Sequence, residues 1–67
     1  GRKLKTFIGR HVRLKYKTFE RAVRHARRPG VFENLFVVAA ITRGMNKLVC
    51  YGSNIRVIVS LSDIVLI

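Results

Sequence analysis

The period of the hydrophobic residues changes at Thr18, and this change limits the folds open to the chain. Over residues 11–17 apolar and basic side chains alternate strictly, with the two-residue period of a half-buried strand. After Thr18 the apolar residues fall on one helical stripe, at Phe19, Ala22, Val23 and Ala26. We predict a strand over 11–17, with Tyr16 on its buried face, followed directly by a helix over 18–28. Thr18 is its predicted N-cap.

The apolar segments outside 11–28 predict short strands joined by turns. These strands are expected at 4–8, 35–41, 47–51, 55–61 and 64–67. The segment 35–41 has no polar face, which favours a strand covered on both sides, although a buried helix also fits it. The first segment belongs to residues 1–10, which we interpret as an edge strand or a basic arm. The other strands follow one another closely, so they predict an antiparallel meander.

A chain of 67 residues leaves room for a single small domain over 1–67. The order of elements predicts an α+β fold, in which a short basic strand and an amphipathic helix pack on a small antiparallel sheet. Phe19 and Val23 are expected to form the contact between the helix and that sheet. The sheet could also curl into a small β-barrel, because a flat sheet would leave its edges exposed.

Basic residues are concentrated in the first half of the chain. The formal net charge is +11, and residues 1–30 contain eleven Lys and Arg residues against one acid, Glu20, whereas residues 31–67 carry only +1. Such a density calls for a polyanionic partner. Seven of the eleven cations are Arg, which favours bidentate contact with phosphate. The predicted partner is nucleic acid, RNA rather than DNA.

The outward faces of the predicted strand and helix follow one another, so they could form one continuous basic surface. The residues predicted to bind phosphates at the centre of this surface are Arg13, Lys15, Lys17, Arg21, Arg24 and Arg28. Further contacts are predicted from Arg2, Lys3, Lys5, Arg10, His25 and Arg27. The first three of these lie in the basic arm, which could order only when RNA binds.

Three aromatic residues, Phe7, Tyr16 and Tyr51, lie near basic residues, where their rings could stack on bases. Packing in the core is nevertheless the expected role for each of them. His11 and His25 could form the acid and base of a small ribonuclease. We expect instead that both histidines contact phosphate and that the chain is not an enzyme.

Other functions remain open at this point. A DNA-binding module would place the helix in a major groove, but the helix has no Asn or Gln for reading bases. A cationic peptide acting on membranes would use the same charge. The apolar C-terminal strand could also add to the sheet of a partner protein. An Arg-rich N-terminus can be a transit peptide, yet residues 1–30 contain no Ser.

No cofactor or metal is predicted. Cys50 has no His or second Cys at metal-ligand spacing, and we expect it in the core. The three acids do not cluster, and the longest apolar run, 35–41, is far shorter than the ~18 residues that a membrane span requires.

The segment Tyr51–Leu61 loosely resembles the second signature of Sm and Sm-like RNA-binding proteins, in which an Arg-Gly pair precedes a hydrophobic strand. Tyr51 stands where that family has the Arg, and the first signature is missing, so no family is assigned. In composition the chain resembles ribosomal proteins as a class. We therefore expect a structural, RNA-binding component of a ribonucleoprotein particle such as the ribosome, in the cytoplasm, with nucleus or organelle left open.

Overall fold

The computed structural model of the chain describes residues 2–26, with side chains from residue 4 onward, 30–44 and 46–67. It has the predicted α+β architecture, one α-helix and a five-stranded antiparallel sheet. The strands are β1 His11–Leu14, β2 Phe36–Ile41, β3 Leu48–Tyr51, β4 Arg56–Val59 and β5 Ile64–Leu66. The helix α1 spans Tyr16–His25, and two 3₁₀ helices span Arg2–Phe7 and Leu61–Asp63.

The five strands form one open sheet in the order β4-β3-β2-β1-β5. Every neighbouring pair is antiparallel, so the predicted meander from β2 to β4 is confirmed. β5 returns to pair with β1, for example Arg13 opposite Val65. In the described part of the chain β4 and β5 are the two edges, so the sheet does not close into a barrel.

The core lies on one face of the sheet, and α1 packs on that face. Val12, Phe36 and Leu48 are fully or almost fully buried there. The ring of Phe19 meets Phe36 edge-on, with the ring centroids 6.3 Å apart. The predicted packing of the helix is therefore correct at Phe19. The second helix residue packed on the core is Ala22 and not the predicted Val23, which is only partly buried.

The boundary between β1 and α1 differs from the prediction. The strand ends at Leu14, and the helix begins at Tyr16, whose side chain is 73% exposed and not part of the core. Lys15, not Thr18, is the N-cap: its carbonyl accepts the first helical bond from Phe19 N–H at 2.9 Å. Lys15 N–H donates to the backbone carbonyl of Asp63 at 2.9 Å, a long-range bond that the local pattern does not reveal.

The helix also ends earlier than predicted. α1 stops at His25, and Ala26 has an extended backbone. Ala26 N–H donates to the carbonyl of Val23 at 3.1 Å, which tightens the last turn. The remaining residues of the predicted helix, 27 and 28, lie outside the described residues.

Residues 4–8 were predicted as an edge strand, but they belong mainly to the first 3₁₀ helix. Side chains three residues apart point to the same side of a 3₁₀ helix. Leu4 is thereby buried, and Phe7 packs against the core as expected. The helix ends before Gly9, whose φ of +88° suits glycine. Gly9 N–H donates to the carbonyl of Val38 at 2.7 Å, and this bond precedes the pairing of β1 with β2.

The middle strands are shorter and less covered than predicted. In β2, Phe36 and Val38 are buried, but Ala39 and Ala40 are exposed, and the register shifts between Val38 and Ala40. Because α1 covers only one face of the sheet, β2 is not covered on both sides, and that prediction is wrong. β4 has Val57 and Val59 on the core side, whereas Leu61, predicted on the same strand, is exposed in the second 3₁₀ helix.

Asn34 extends the pairing between β1 and β2 with its side chain. Its Nδ2 donates to the carbonyl of Leu14 at 2.8 Å, and its Oδ1 accepts from Leu14 N–H at 2.8 Å. The β1 to β2 register places residue 34 opposite residue 14, so the amide replaces a backbone partner. This bridge holds the end of β1 immediately before α1.

Among the described residues, none of the helices has the length and apolarity needed to cross a bilayer.

Candidate nucleic-acid interface

The outward surface of α1 is basic. No residue of this helix is fully buried, and its last turn carries Arg24 and His25. A shallow depression of about 310 Å³ on this surface, which we call the helix depression, is lined by Lys17, Glu20, Arg21, Arg24 and His25. Its single acid, Glu20, accepts a hydrogen bond from Tyr16 Oη at 3.3 Å. Lys17, Arg21 and Arg24 therefore present N–H donors to an anion at this surface.

A larger groove lies between α1 and the edge strand β4. This α1–β4 groove has a volume of about 440 Å³. Basic residues line it on both sides, Arg21 and His25 on the helix, and Lys47 before β3 and Arg56 in β4 on the other side. Apolar residues, among them Val57 and Val59, also line it. Arg21 and His25 line both the groove and the helix depression, so the two concavities adjoin.

Lys47 and Arg56 were not among the predicted site residues. They lie in the half of the chain that carries only +1, where neither has another basic residue within three positions. The pairing of β3 with β4 places both residues along the edge of the sheet that faces the groove. Lys47 directly precedes Leu48, which pairs with Val59, and Arg56 pairs with Tyr51 at the other end of the same two strands. The predicted hairpin could have placed them on one sheet edge, but not beside the helix.

The hydrogen bond that His25 makes leaves one ring nitrogen for a ligand. Its Nδ1 lies 2.9 Å from the carbonyl oxygen of Arg21. A carbonyl only accepts, so Nδ1 carries the proton and donates it. Nε2 is then the free nitrogen, and it can donate to a phosphate oxygen when the ring is protonated.

One acid, Asp63, lines the α1–β4 groove, and its carboxylate oxygens are engaged in local structure. Oδ2 accepts from the backbone N–H of Ser60 at 3.1 Å, and Oδ1 accepts from Thr18 Oγ1 at 3.4 Å. Together with the bond from Lys15 N–H to its carbonyl, these contacts hold the second 3₁₀ helix against the start of α1. Asp63 is therefore a structural residue of the groove.

The predicted single basic surface is divided. In β1 the side chains of His11 and Arg13 are exposed, while Val12 and Leu14 are buried. Since α1 packs on the buried face, the basic face of β1 lies on the opposite side of the sheet from the helix. The predicted site residues whose side chains the structure describes are all exposed to solvent. They are Lys5, Arg10, Arg13, Lys15, Lys17, Arg21, Arg24 and His25. Arg2, Lys3, Arg27 and Arg28 lie outside the described side chains.

His11 and His25 are on different elements, at β1 and at the end of α1. Neither of the two basic concavities, the helix depression and the α1–β4 groove, is lined by His11, whereas His25 lines both. His11 and His25 therefore do not meet in either of these two concavities.

Cys50 is fully buried in β3, as expected, and burial raises the pKa of its thiol. Within the described part of the chain, no group of three or more His, Cys, Asp or Glu side chains is arranged to hold a metal ion.

No family model, curated protein or solved structure matches this chain.

Proposed function

We propose that this chain binds RNA as a structural, non-enzymatic component of a ribonucleoprotein particle such as the ribosome. The observation that carries the proposal is the pair of adjoining concavities, both lined by Arg21 and His25, in a protein of net charge +11. The charges come from the helix on one side and from Lys47 and Arg56 on the other. A phosphate backbone that follows the groove would thus be contacted from both walls.

The physical chemistry of such a site is dominated by phosphate contacts. Arginine donates two parallel bonds to phosphate oxygens, and binding releases counterions from the nucleic acid. With six phosphates neutralised, the logarithm of the binding constant would fall with the logarithm of salt at a slope of about −5 for a duplex and about −4 for a single strand. Affinity that ignores salt would contradict the proposal.

The test is a titration of the chain with structured RNA, duplex DNA and heparin at two salt concentrations. We expect structured RNA to bind more tightly than duplex DNA or heparin at both salt concentrations, with an affinity that rises as the salt is lowered. Equal binding of all three polyanions would reduce the function to general polyanion binding, and preference for the duplex DNA would support the DNA-binding alternative. Binding to anionic vesicles as tight as to RNA would favour the membrane alternative.

A pair of variants locates the site. Arg21→Ala combined with Arg24→Ala should weaken RNA binding about 10- to 100-fold and make the salt slope shallower by about two. The melting temperature should stay unchanged, because both side chains are exposed. The control is Arg43→Ala, which removes a charge from an exposed residue that lines neither concavity and is not among the predicted RNA contacts. An equal loss in the control would show that binding is diffuse and the proposed site wrong.

A further inference from the structure

The sheet face that α1 leaves uncovered carries a row of side chains across four strands. The register pairs His11 with Val37, Val37 with Tyr51, and Tyr51 with Arg56. Residues that pair directly across neighbouring strands have their side chains on the same face, with Cβ atoms roughly 5 Å apart. Two basic residues, His11 and Arg56, therefore end the row, and the aromatic ring of Tyr51 lies beside Arg56. We call these four residues the outer-face row.

Tyr51 is the aromatic residue of this row, and its ring is accessible. Its side chain is 48% exposed, because the helix covers the opposite face of the sheet. Arg56 and His11 are exposed as well. Sequence reasoning favoured a core position for Tyr51, but its neighbour Cys50 is the residue that points inward.

The backbone that presents Tyr51 and Arg56 is fixed by a tight turn. Gly52 N–H donates to the carbonyl of Ile55 at 2.7 Å. A Cβ atom at Gly52 would lie 2.7 Å from the ring of Phe36, so the chain passes directly over the core at this point. The Tyr51 and Arg56 pair is thus held on a short, packed hairpin, and a rigid support of this kind favours a binding contact.

We propose that Tyr51 and Arg56 form a stacking site for an unpaired RNA base, so that the preferred ligand is single-stranded RNA or an RNA loop. The proposal rests on the RNA-binding function argued above. Aromatic rings and guanidinium planes hold unstacked bases, and duplexes do not expose base faces. Arg56 belongs both to the outer-face row and to the α1–β4 groove. A strand with phosphates in the groove could therefore turn a base over the β4 edge onto Tyr51.

The first test compares affinities for three ligands of equal length: single-stranded RNA, an abasic backbone of the same charge, and duplex RNA. Tyr51→Leu removes the ring and keeps an apolar strand residue. It should weaken binding of the single strand roughly 5- to 100-fold, the range expected for loss of one stacked base. Binding to the abasic backbone and to the duplex should not change. Tyr51→Phe keeps the ring and should bind the single strand like the wild type.

Tyr16→Leu is the matched control, since it removes the other exposed tyrosine from α1, outside the outer-face row. It should leave the preference for unpaired RNA intact. Two results would overturn the stacking site. One is that Tyr16→Leu weakens single-strand binding as much as Tyr51→Leu does. The other is that Tyr51→Leu weakens binding of the abasic backbone as much as binding of the single strand. In either case the helix variants Arg21→Ala and Arg24→Ala would still test RNA binding by itself.

A spectroscopic measurement does not depend on a variant at Tyr51. The chain contains two tyrosines and no tryptophan, so Tyr16→Phe leaves Tyr51 as its one strongly fluorescent residue. Stacking of a base should quench this emission when single-stranded RNA is added, and the abasic backbone should not quench it. Equal emission with and without saturating RNA would contradict the proposal even if Tyr51→Leu failed to fold.

Discussion

The two halves of the chain differ by nine units of charge, +10 over residues 1–30 and +1 over residues 31–67, yet both supply cations to the same groove. The basic half contributes Arg21 and His25 from one helix. The apolar half contributes Lys47 and Arg56, because it forms the hairpin whose edge faces that helix. The comparison teaches that charge density along a sequence indicates only a class of partner to propose, whereas sheet pairing decides which cations meet.

The core joins the two halves through Phe19 and Phe36, and removing this contact should have the largest effect. Phe36→Ala should cost about 3–5 kcal/mol of unfolding free energy, a large part of the total stability of a small domain. Thermal melting followed by circular dichroism should show helix and sheet lost in one transition at a much lower temperature. Val65→Ala, at an exposed site on β5, is the control and should melt within a few degrees of the wild type. Persistence of the helical signal after the sheet is lost would mean that the halves fold independently.

A second prediction concerns the cation that the apolar half contributes at the start of β3. Lys47→Ala should weaken RNA binding roughly 3- to 10-fold and make the salt slope shallower by about one, as expected for one lost phosphate contact. Arg43→Ala is the control, because Arg43 lies in the preceding turn and does not line the groove. In the same titration, no loss for Lys47→Ala would show that only the basic half binds, and an equal loss for both substitutions would show that binding is diffuse.

Periodicity predicted the elements well where one face of each is buried. The stripe containing Phe19 predicted α1, and the alternation of Val57 and Val59 predicted β4, because burial on one side imposes these periods on a sequence. Boundaries depended on partners distant in sequence. Asp63 sets the start of α1 from 48 residues away, through its carbonyl and Lys15 N–H, so the local pattern placed the N-cap three residues too late.

The candidate site was predicted in part for the same reason. Arg21, Arg24 and His25 were recognisable because they share a helix face, which local spacing defines. The positions of Lys47 and Arg56 beside that helix depend on how β3 and β4 pack against it, and no short-range pattern encodes this. Tyr16 and Tyr51 were expected in the core since tyrosine is usually buried at least in part, but each occupies an exposed face.

The smallest expected effect tests the interior of the apolar half. Burial raises the pKa of the Cys50 thiol, so the native protein keeps this proton at pH values where the unfolded chain has lost it. The contribution of the thiol is therefore fully present below its ordinary pKa of about 8.5, and stability should fall as pH rises above that value.

Unfolding of the wild type and of Cys50→Ala by urea between pH 7 and pH 9.5 isolates this contribution of the thiol, because all other titrating groups are shared. The stability advantage of the wild type should therefore shrink as the pH rises over this range. An advantage independent of pH, or a thiol that reacts with an alkylating reagent as fast in the native as in the unfolded state, would show that β3 is open to solvent and that the apolar half is not a rigid support for the groove.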